Sequence, residues 1–358
     1  MAGPLAGLKI IEMAGLGPGP FAAMMLADHG AEMIRVERAG MIGVPNDPLL
    51  RNRRSIALDL KRENHRRVVH QLAAKADGLI EGYRPGVMER LGLGPDELRA
   101  EHSLLVYGRV TGWGQEGPLS NEAGHDINYL AITGLLHCIG EPDRPPRPPL
   151  NLIADYAGGG MMLAFGMVAA LLDVQRGAPG RVIDAAMSDG AALTGALIYG
   201  LRAAGAWGGG RGGNLLDGGE PLYGCYACAD GKFIALGAIE PQFRAALLAG
   251  LALDEGADRV AVADAVARRS RGDWLALFAG KDACLAPVLD LDEAPTHPHN
   301  GARGTFGTVG GVVQPMPSPR YAGALPVHPV APRREGEDGA AILAELGYTP
   351  DEITELLN

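Results

Sequence analysis

Aromatic residues and cysteines are both scarce in this chain of 358 residues, which has six Phe, nine Tyr, three Trp and four Cys. So few cysteines do not form the dense disulfide framework of a small secreted domain. Because large rings are few and glycines number 53, we expect the cores to be built from helices and backbones in close approach. The length suggests about two domains.

Positive charge and long apolar runs are also in short supply. A formal net charge of −10 argues against a general nucleic-acid binder, because such proteins neutralise phosphates with clustered basic residues. The longest apolar run, 158–172, is shorter than the roughly 18 residues that a membrane span needs. No basic segment precedes an apolar one at the start of the chain, so we expect no secretory signal. These deficits predict a soluble cytoplasmic protein that uses neither nucleic acid nor a membrane.

A strand–turn–helix–strand pattern opens the chain. Apolar runs at 8–12 and 33–36 are typical of buried strands, and a turn rich in glycine and proline followed by a helical segment lies between them. The pattern is similar to a dinucleotide-binding unit, but Pro20 replaces the third glycine and has no N–H to offer a phosphate. We therefore favour a plain Rossmann-like unit, with an NAD(P)-dependent oxidoreductase as a less favoured alternative.

Further apolar runs alternate with helical segments, which predicts an α/β domain with a mainly parallel sheet. A second pattern begins at 223–236, where alternating residues around Asp230-Gly231 predict a β-hairpin, and Glu240 then caps a helix. The expected organisation is a large α/β domain at 1–190 completed by about 320–358, a crossing linker at 191–222, a small α+β domain at 223–289 and a return linker at 290–319.

Two predicted helix starts carry titratable residues. The run Gly124-His125-Asp126 precedes a helical apolar pattern, so the sequence predicts a loop that delivers His125 to a helix N-terminus. Asp155 is expected at the N-cap of the apolar helix that follows Gly158. Alone, His125 would be a surface or capping residue and Asp155 an ordinary cap. Together they suggest proton transfer at a site where negative charge develops, because helix N-termini favour such charge.

A family resemblance is carried by the segments GHDINYLAITGLLHCIG and PLNLIADYAGGG. They resemble the alpha-methylacyl-CoA racemases, within the family III CoA-transferase superfamily. Further matching segments extend the likeness over nearly the whole chain, among them LKIIEMAGLGPGPFAAMMLADHGAEMIRVER, RNRRSIALDLK, EGYRPGVMERLGLGP, TGWGQEGP and NLLDGGEPLYGCY. The resemblance implies a Rossmann-like large domain, a smaller α+β domain and two subunits interlocked as a homodimer.

The resemblance also implies a cofactor-independent racemase that interconverts (2R)- and (2S)-2-methylacyl-CoA thioesters through an enolate. His125 and Asp155 would serve as acid and base on opposite faces of the substrate, and Glu240 from the partner subunit would orient His125. Coenzyme A would enter only as part of the substrate. The residues implied in binding substrate and coenzyme A are Arg38, Ala57, Leu58, Asp59, Leu60, Arg84, Arg90, Gly124, Asp126, Ile127, Asn128, Tyr129, Asn151 and Tyr223.

Positive charge is concentrated at 38–67 in an otherwise acidic chain. A solvated basic face is one interpretation. Arginine forks are also the usual partners of phosphate groups, so we expect Arg38 and the segment 51–61 to hold the nucleotide phosphates of coenzyme A. The basic residues of that segment are Arg51, Arg53, Arg54 and Lys61.

A second enzyme class on the same fold is CoA transfer, in which the aspartate matching Asp155 would act as a covalent nucleophile. His125 favours the racemase, because a transferase needs no second proton carrier. The spacing of Cys225 and Cys228 suits zinc, but no second pair lies near, so we expect no metal. Residues 252–275 depart from the family pattern and predict a shortened small domain.

Overall fold

The fold comes from a computed structural model that describes residues 3–40, 44, 46–322 and 328–357. It divides into two compact units. The first comprises the described parts of Met1–Thr133, Pro149–Thr194 and Gly304–Asn358, and the second comprises Gly134–Pro148 and Gly195–Arg303.

The segment 191–222, which the sequence predicted to be a linker between two domains, lies mostly within the second unit. There it packs with the proline-rich segment 134–148 through Arg211, whose guanidinium donates to the carbonyl oxygens of His137 at 3.0 Å and Glu141 at 2.8 Å. These bonds join segments that lie far apart in the chain, so the local composition did not reveal them.

The described residues form these strands in chain order: β1 (Lys9–Met13), β2 (Glu32–Glu37), β3 (Arg53–Ala57), β4 (Gly78–Glu81), β5 (Val106–Thr111), β6 (Val182–Ala186), β7 (Tyr223–Ala227), β8 (Phe233–Gly237), β9 (Leu285–Val288), β10 (Phe306–Val309) and β11 (Val312–Pro315). Their α-helices are α1 (Pro18–Asp28), α2 (Glu63–Ala73), α3 (Val87–Arg90), α4 (Pro95–Glu101), α5 (Asp126–Ala131), α6 (Met162–Gln175), α7 (Met187–Thr194), α8 (Ala196–Ala203), α9 (Pro241–Leu251), α10 (Arg259–Val266), α11 (Arg271–Phe278), α12 (Pro298–Arg303), α13 (Gly339–Leu346) and α14 (Pro350–Leu357).

The first unit is built on a parallel six-stranded sheet in the order β3-β2-β1-β4-β5-β6. This is the strand order of a Rossmann fold, and the strand order reverses between β1 and β4. The predicted fold class is confirmed. Strand β3 was not predicted, because its two arginines interrupt the apolar pattern. Arg53 of β3 and Arg35 of β2 contact the fully buried Glu12 on β1, at 2.7 and 2.6 Å, and so link the edge strand β3 and its neighbour β2 to the centre of the sheet.

Helices cover both faces of this sheet. On one face, Ile11, Ile34 and Leu79 are buried in one cluster with residues of α2 and with Ile342 and Leu343 of α13. On the other face α6 lies directly over the strands. A Cβ on Gly78 or Gly108 would come within 2.7 Å of Met167 side-chain atoms, so these glycines allow the close approach.

The helix that contains Asp155 begins earlier than predicted. Its first part, Leu152–Met161, is π-helical with Asn151 at the N-cap, and it continues directly into α6. Gly158 and Gly160 pack on neighbouring backbone, since a Cβ would lie 2.5 Å from the nitrogen of Ala191 and 2.9 Å from the carbonyl oxygen of Pro18 respectively. Asp155 is therefore inside the first turns rather than at the N-cap.

By length and composition alone, the helical stretch Leu152–Gln175 is apolar enough to cross a membrane, with a mean hydropathy of 1.7. However, 44% of its most apolar window is buried inside the fold, and the core helices of soluble proteins pass the same test.

The second unit contains the three-stranded antiparallel sheet β7-β8-β9. Strands β7 and β8 are the predicted hairpin, and Gly231 in their turn has a φ of +75° that favours glycine. Its core includes Tyr226, Ile234 and Trp274. Helices α10 and α11 occupy most of the region that departs from the family pattern.

Candidate active site

The carboxyl ends of the central strands define the candidate site. In an open α/β sheet, ligands bind outside these ends at the point where the strand order reverses. The turn after β1 contains Gly17, which has a φ of +67°. A Cβ on Gly17 would lie 3.4 Å from Oδ2 of Asp155, so this turn faces a carboxylate of the protein itself.

His125 lies at the N-cap of α5, where the sequence predicted a helix start. Its side chain is exposed, and its backbone N–H donates to the side-chain oxygen of Asn128 at 3.1 Å. This bond closes the first turn, because the N–H groups at a helix start have no carbonyl partner within the helix. The imidazole is thus attached to a fixed backbone and left open to a ligand.

Tyr129 holds the loop that leads to His125. Its hydroxyl donates to the carbonyl oxygen of Gly124, and its ring meets Trp113 edge-on with centroids 4.8 Å apart. A Cβ on Gly112 would lie 2.1 Å from Cε1 of the tyrosine ring. Sequence reasoning did not single out Gly112 or Trp113 as site residues, although both lie in the matching segment TGWGQEGP.

Asp155 is half-buried and accepts a hydrogen bond from the side-chain amide of Asn151 at 3.3 Å. Burial raises the pKa of Asp155 above its ordinary value, and the nearby Asp126 carboxylate also raises it. The bond from Asn151 and the charge of His125 lower that pKa, but the net shift is upward. A carboxyl group whose pKa is raised in this way is better suited to both donating and accepting a proton than an ordinary aspartate is.

Asp126 connects the two helix starts directly. Its Oδ2 accepts hydrogen bonds from the backbone N–H groups of Ala154 and Asp155, both at 2.8 Å. The structure thereby brings together His125, Asp126, Asn151 and Asp155, four residues that the sequence assigned to one site.

A cleft of about 180 Å³ lies beside the ends of β2 and β3. Arg38 and Asp59 are exposed in it, and Ala57 pairs with Glu37 at the end of β3 next to it. The lining is formed by Val36, Glu37, Arg38, Leu58, Asp59, Leu60, Lys61, Tyr83 and Leu91. The cleft thus contains the predicted coenzyme residues Arg38, Leu58, Asp59 and Leu60.

Two other predicted coenzyme residues lie near this region. Arg84 is exposed, and its charge acts on Tyr129: burial and Asp155 raise the pKa of that phenol, whereas Arg84 lowers it. Arg90 lines a wider groove of about 790 Å³ together with Arg66, and this groove shares Leu91 with the smaller cleft. The predicted Ile127 is exposed on α5, in the turn after His125.

The prediction that Arg51 and Arg53 hold phosphates is wrong. Arg51 is buried in a paired contact with Asp28, at 2.9 and 2.5 Å, and Arg53 is buried against Glu12 at 2.7 Å. Withdrawing Arg51 to meet a phosphate would leave the buried Asp28 without its ion-pair partner, and withdrawing Arg53 would remove one of the two guanidinium groups that neutralise the buried Glu12. Arg54 pairs with Glu345 at 2.6 Å, so Lys61 is the residue of that segment that reaches the cleft.

Glu240 and Tyr223 lie in the second unit. Glu240 is exposed and is the N-cap of α9, and Tyr223 begins β7. Within the described ranges, no group of three or more His, Cys, Asp or Glu side chains is arranged to hold a metal ion.

The chain matches the sequence model of CoA-transferase family III over residues 5–336. It is 44% identical to alpha-methylacyl-CoA racemase of Mus musculus and 42% identical to that of Homo sapiens, in each case over 98% of this chain and 96% of the relative. Succinyl-CoA:glutarate CoA-transferase of Mus musculus is 30% identical over 99% of this chain and 89% of its own length. A CAIB/BAIF family protein from Brucella suis superposes with a TM-score of 0.83 and 27% identity, covering 97% of this chain and 100% of that chain.

An imidazole and a carboxyl group outside the carboxyl ends of a doubly wound sheet define the class, which is an α/β enzyme of the Rossmann type. Within that class the chain belongs to CoA-transferase family III, because the family model covers most of its length.

Proposed function

We propose that the protein is a racemase that interconverts (2R)- and (2S)-2-methylacyl-CoA thioesters. The observation that carries this proposal is the direct connection between the helix that begins after His125 and the helix that holds Asp155. Two proton carriers fixed relative to each other suit a reaction that removes a proton from one face of a carbon and returns one to the other. The racemases named above, at 42–44% identity, support the same activity.

In the proposed reaction, one of the two groups takes the proton from C2 of the thioester. The electron pair of the C–H bond forms the C2–C1 double bond of an enolate, and negative charge develops on the thioester oxygen. The other group then returns a proton to the opposite face of C2 and the thioester carbonyl re-forms. Since His125 and Asp155 exchange roles for the two enantiomers, each direction needs the pair to carry one proton in total.

The enolate oxygen needs hydrogen-bond donors. The first N–H groups of α5, at Asp126 and Ile127, have no carbonyl partner within that helix. They lie directly after His125 and are the donors that we propose for the oxygen, where the helix N-terminus favours negative charge.

CoA transfer is the second candidate, and the relative at 30% identity that is named as such an enzyme keeps it open. In that reaction Asp155 attacks the thioester as a nucleophile and must be ionised. The raised pKa of Asp155, caused first by burial, and the presence of His125 favour the proton-carrier role instead.

We further propose that coenzyme A is bound only as part of the substrate, with its nucleotide in the cleft beside Arg38 and Lys61. Arg84 and Arg90, both exposed, are proposed to contact other parts of the coenzyme. No other cofactor or metal is required by this chemistry.

We also propose that the protein acts as a cytoplasmic homodimer with active sites shared between subunits. Met161, Phe165, Val168 and Leu172 form an apolar stripe on the long helix, with exposed fractions of 45%, 73%, 39% and 45%. Their spacing of three and four residues places them on one helix face. We propose that a second copy of the chain covers this stripe and that Glu240 of the partner subunit orients His125.

The test of the function follows C2 of a single 2-methylacyl-CoA enantiomer in D₂O by NMR, without an acceptor acid. We expect deuterium to enter C2 as the configuration changes. No adduct at Asp155 should be trapped by hydroxylamine or found by mass spectrometry. A strict need for an acceptor carboxylate, or a covalent Asp155–CoA species, would assign the protein to the transferases.

A further inference from the structure

The buried side chain of Asp126 makes contacts that neither substrate binding nor proton transfer by its neighbours requires. It is 5% exposed, and its Oδ2 accepts the N–H groups of Ala154 and Asp155, both at 2.8 Å. These donors belong to a helix that starts 26 positions further along the chain, at Leu152. A π-helix bonds each N–H to the carbonyl five residues earlier, so the first N–H groups of Leu152–Met161 need partners from outside.

We propose that the Asp126 carboxylate is a positioning residue: it caps the helix that carries Asp155 from within the helix that begins after His125, and it places a fixed negative charge beside Asp155. The kinetic consequences of this inference rest on the proposed racemase function. The hydrogen bonds and the charge that Asp126 presents to Asp155 do not depend on that function.

The capping contact has a geometric consequence. Asp126 is covalently adjacent to His125, and it bonds directly to the backbone of Asp155. A single carboxylate therefore sets the separation of the two proposed proton carriers. A misplacement of about 1 Å in such a pair can cost roughly 10²-fold in rate.

The charge of Asp126 is not neutralised locally. Its hydrogen bonds come from two backbone N–H groups and not from a described Lys or Arg side chain, and its Oδ1 is buried without a hydrogen bond from the part of the chain that the structure describes. The groups that act on Asp155 are His125 and Asp126 from α5 and Asn151 from its own helix start. Tyr129 from α5 also interacts with Asp155, and Arg84 faces that tyrosine from the loop after β4.

These neighbours determine in which direction the pKa of Asp155 should change when Asp126 is replaced. Burial raises the pKa of Asp155, and the Asp126 charge raises it further. Removing that charge should lower the pKa of Asp155. The reaction needs one proton in total on His125 and Asp155. At low pH Asp155 takes up a second proton, and activity falls. The acid limb of kcat/KM should therefore move to lower pH for both enantiomers.

The experiment compares Asp126→Asn, Asp126→Ala and a control, Glu122→Gln. Asparagine can still accept the two N–H bonds but lacks the charge, so we expect the acid limb to move to lower pH. Alanine also loses the cap, and we expect kcat to fall by roughly 10²-fold. Glu122 is an exposed carboxylate in the same loop, and its replacement should leave the profile unchanged.

A titration that does not depend on activity separates this inference from the proposed function. The Asp155 side-chain carboxyl is followed by ¹³C NMR in wild-type and Asp126→Asn protein, with Asp155→Asn used to assign the signal. A lower titration midpoint in Asp126→Asn supports the inference even if no racemisation is found. An unchanged midpoint, or an unchanged acid limb in an active Asp126→Asn enzyme, would overturn it.

Discussion

The hydroxyl of Tyr129 donates a hydrogen bond to the carbonyl oxygen of Gly124, the residue directly before His125. The tyrosine ring occupies the space that a side chain at Gly112 would need, so the end of the loop that carries the histidine depends on a glycine at the start of the same loop. This relationship links the end of β5 to the position of the proposed proton carrier.

Gly112→Ala should therefore displace Tyr129, because the new Cβ would lie 2.1 Å from Cε1 of the ring. We expect kcat to fall by at least roughly 10-fold as His125 loses its fixed position, with a smaller change in KM. Steady-state kinetics with both enantiomers measure this. Gly256→Ala is the control, since a Cβ there meets nothing within 4 Å. Wild-type kcat in Gly112→Ala would contradict the role given to Tyr129.

Asp155→Asn should abolish racemisation and stabilise the fold at neutral pH. Burial raises the folded-state pKa of Asp155, so between the unfolded and folded pKa values the folded protein binds more protons than the unfolded chain. Stability is then lost as pH rises through the folded pKa. We expect a higher Tm than wild type at neutral pH. The difference should disappear below the unfolded pKa of about 3.9.

Thermal unfolding of both proteins across a pH series checks this expectation. Asp189→Asn, which removes an exposed carboxylate from α7, serves as the matched control. A Tm for Asp155→Asn that is lower than wild type at neutral pH would argue against an energetic cost of ionising Asp155.

Arg38→Ala should weaken binding of an acyl-CoA by roughly 10-fold or more, because a charge-assisted phosphate contact contributes strongly in a partly enclosed cleft. Binding of a truncated acyl-pantetheine, which lacks the nucleotide, should change little. Isothermal titration with both ligands measures the contrast. The control is Arg54→Ala, whose guanidinium is paired with Glu345 at 2.6 Å and is absent from the cleft lining. Equal losses for the two ligands would refute the assignment.

Phe165→Glu should dissociate the proposed dimer, because it places a charge in the middle of the exposed apolar stripe, where the side chain is 73% exposed. Sedimentation measures the change in mass. Gln175→Glu, at the exposed end of the same helix, should leave the assembly intact. A wild-type protein that sediments as a fully active monomer would rule out the dimer.

Mixed dimers test the shared site. His125→Ala and Glu240→Ala subunits are each expected to be nearly inactive when alone. Co-expression of the two should restore part of the activity, because some mixed dimers would contain one site with both residues intact. No recovery in a dimer shown to be mixed would place Glu240 outside the site.

Local patterns in the sequence were sufficient for the class of fold and for the start of one helix. Apolar runs separated by helical periods indicated the parallel sheet, and the break in periodicity before His125 indicated its N-cap position. The hairpin from Tyr223 was likewise visible, because alternation and a turn residue are properties of a few neighbouring residues.

The tertiary structure alone decided which charges are free and which groups meet. Arg51 and Arg53 resembled phosphate ligands until their buried partners Asp28 and Glu12 were placed beside them. The helix with Asp155 starts earlier than the sequence predicted, and the backbone N–H of Asp155 donates a hydrogen bond to Asp126, which lies 29 positions earlier in the chain. Such contacts depend on the burial and direction of side chains from separate elements, and residue spacing along one chain does not encode either quantity.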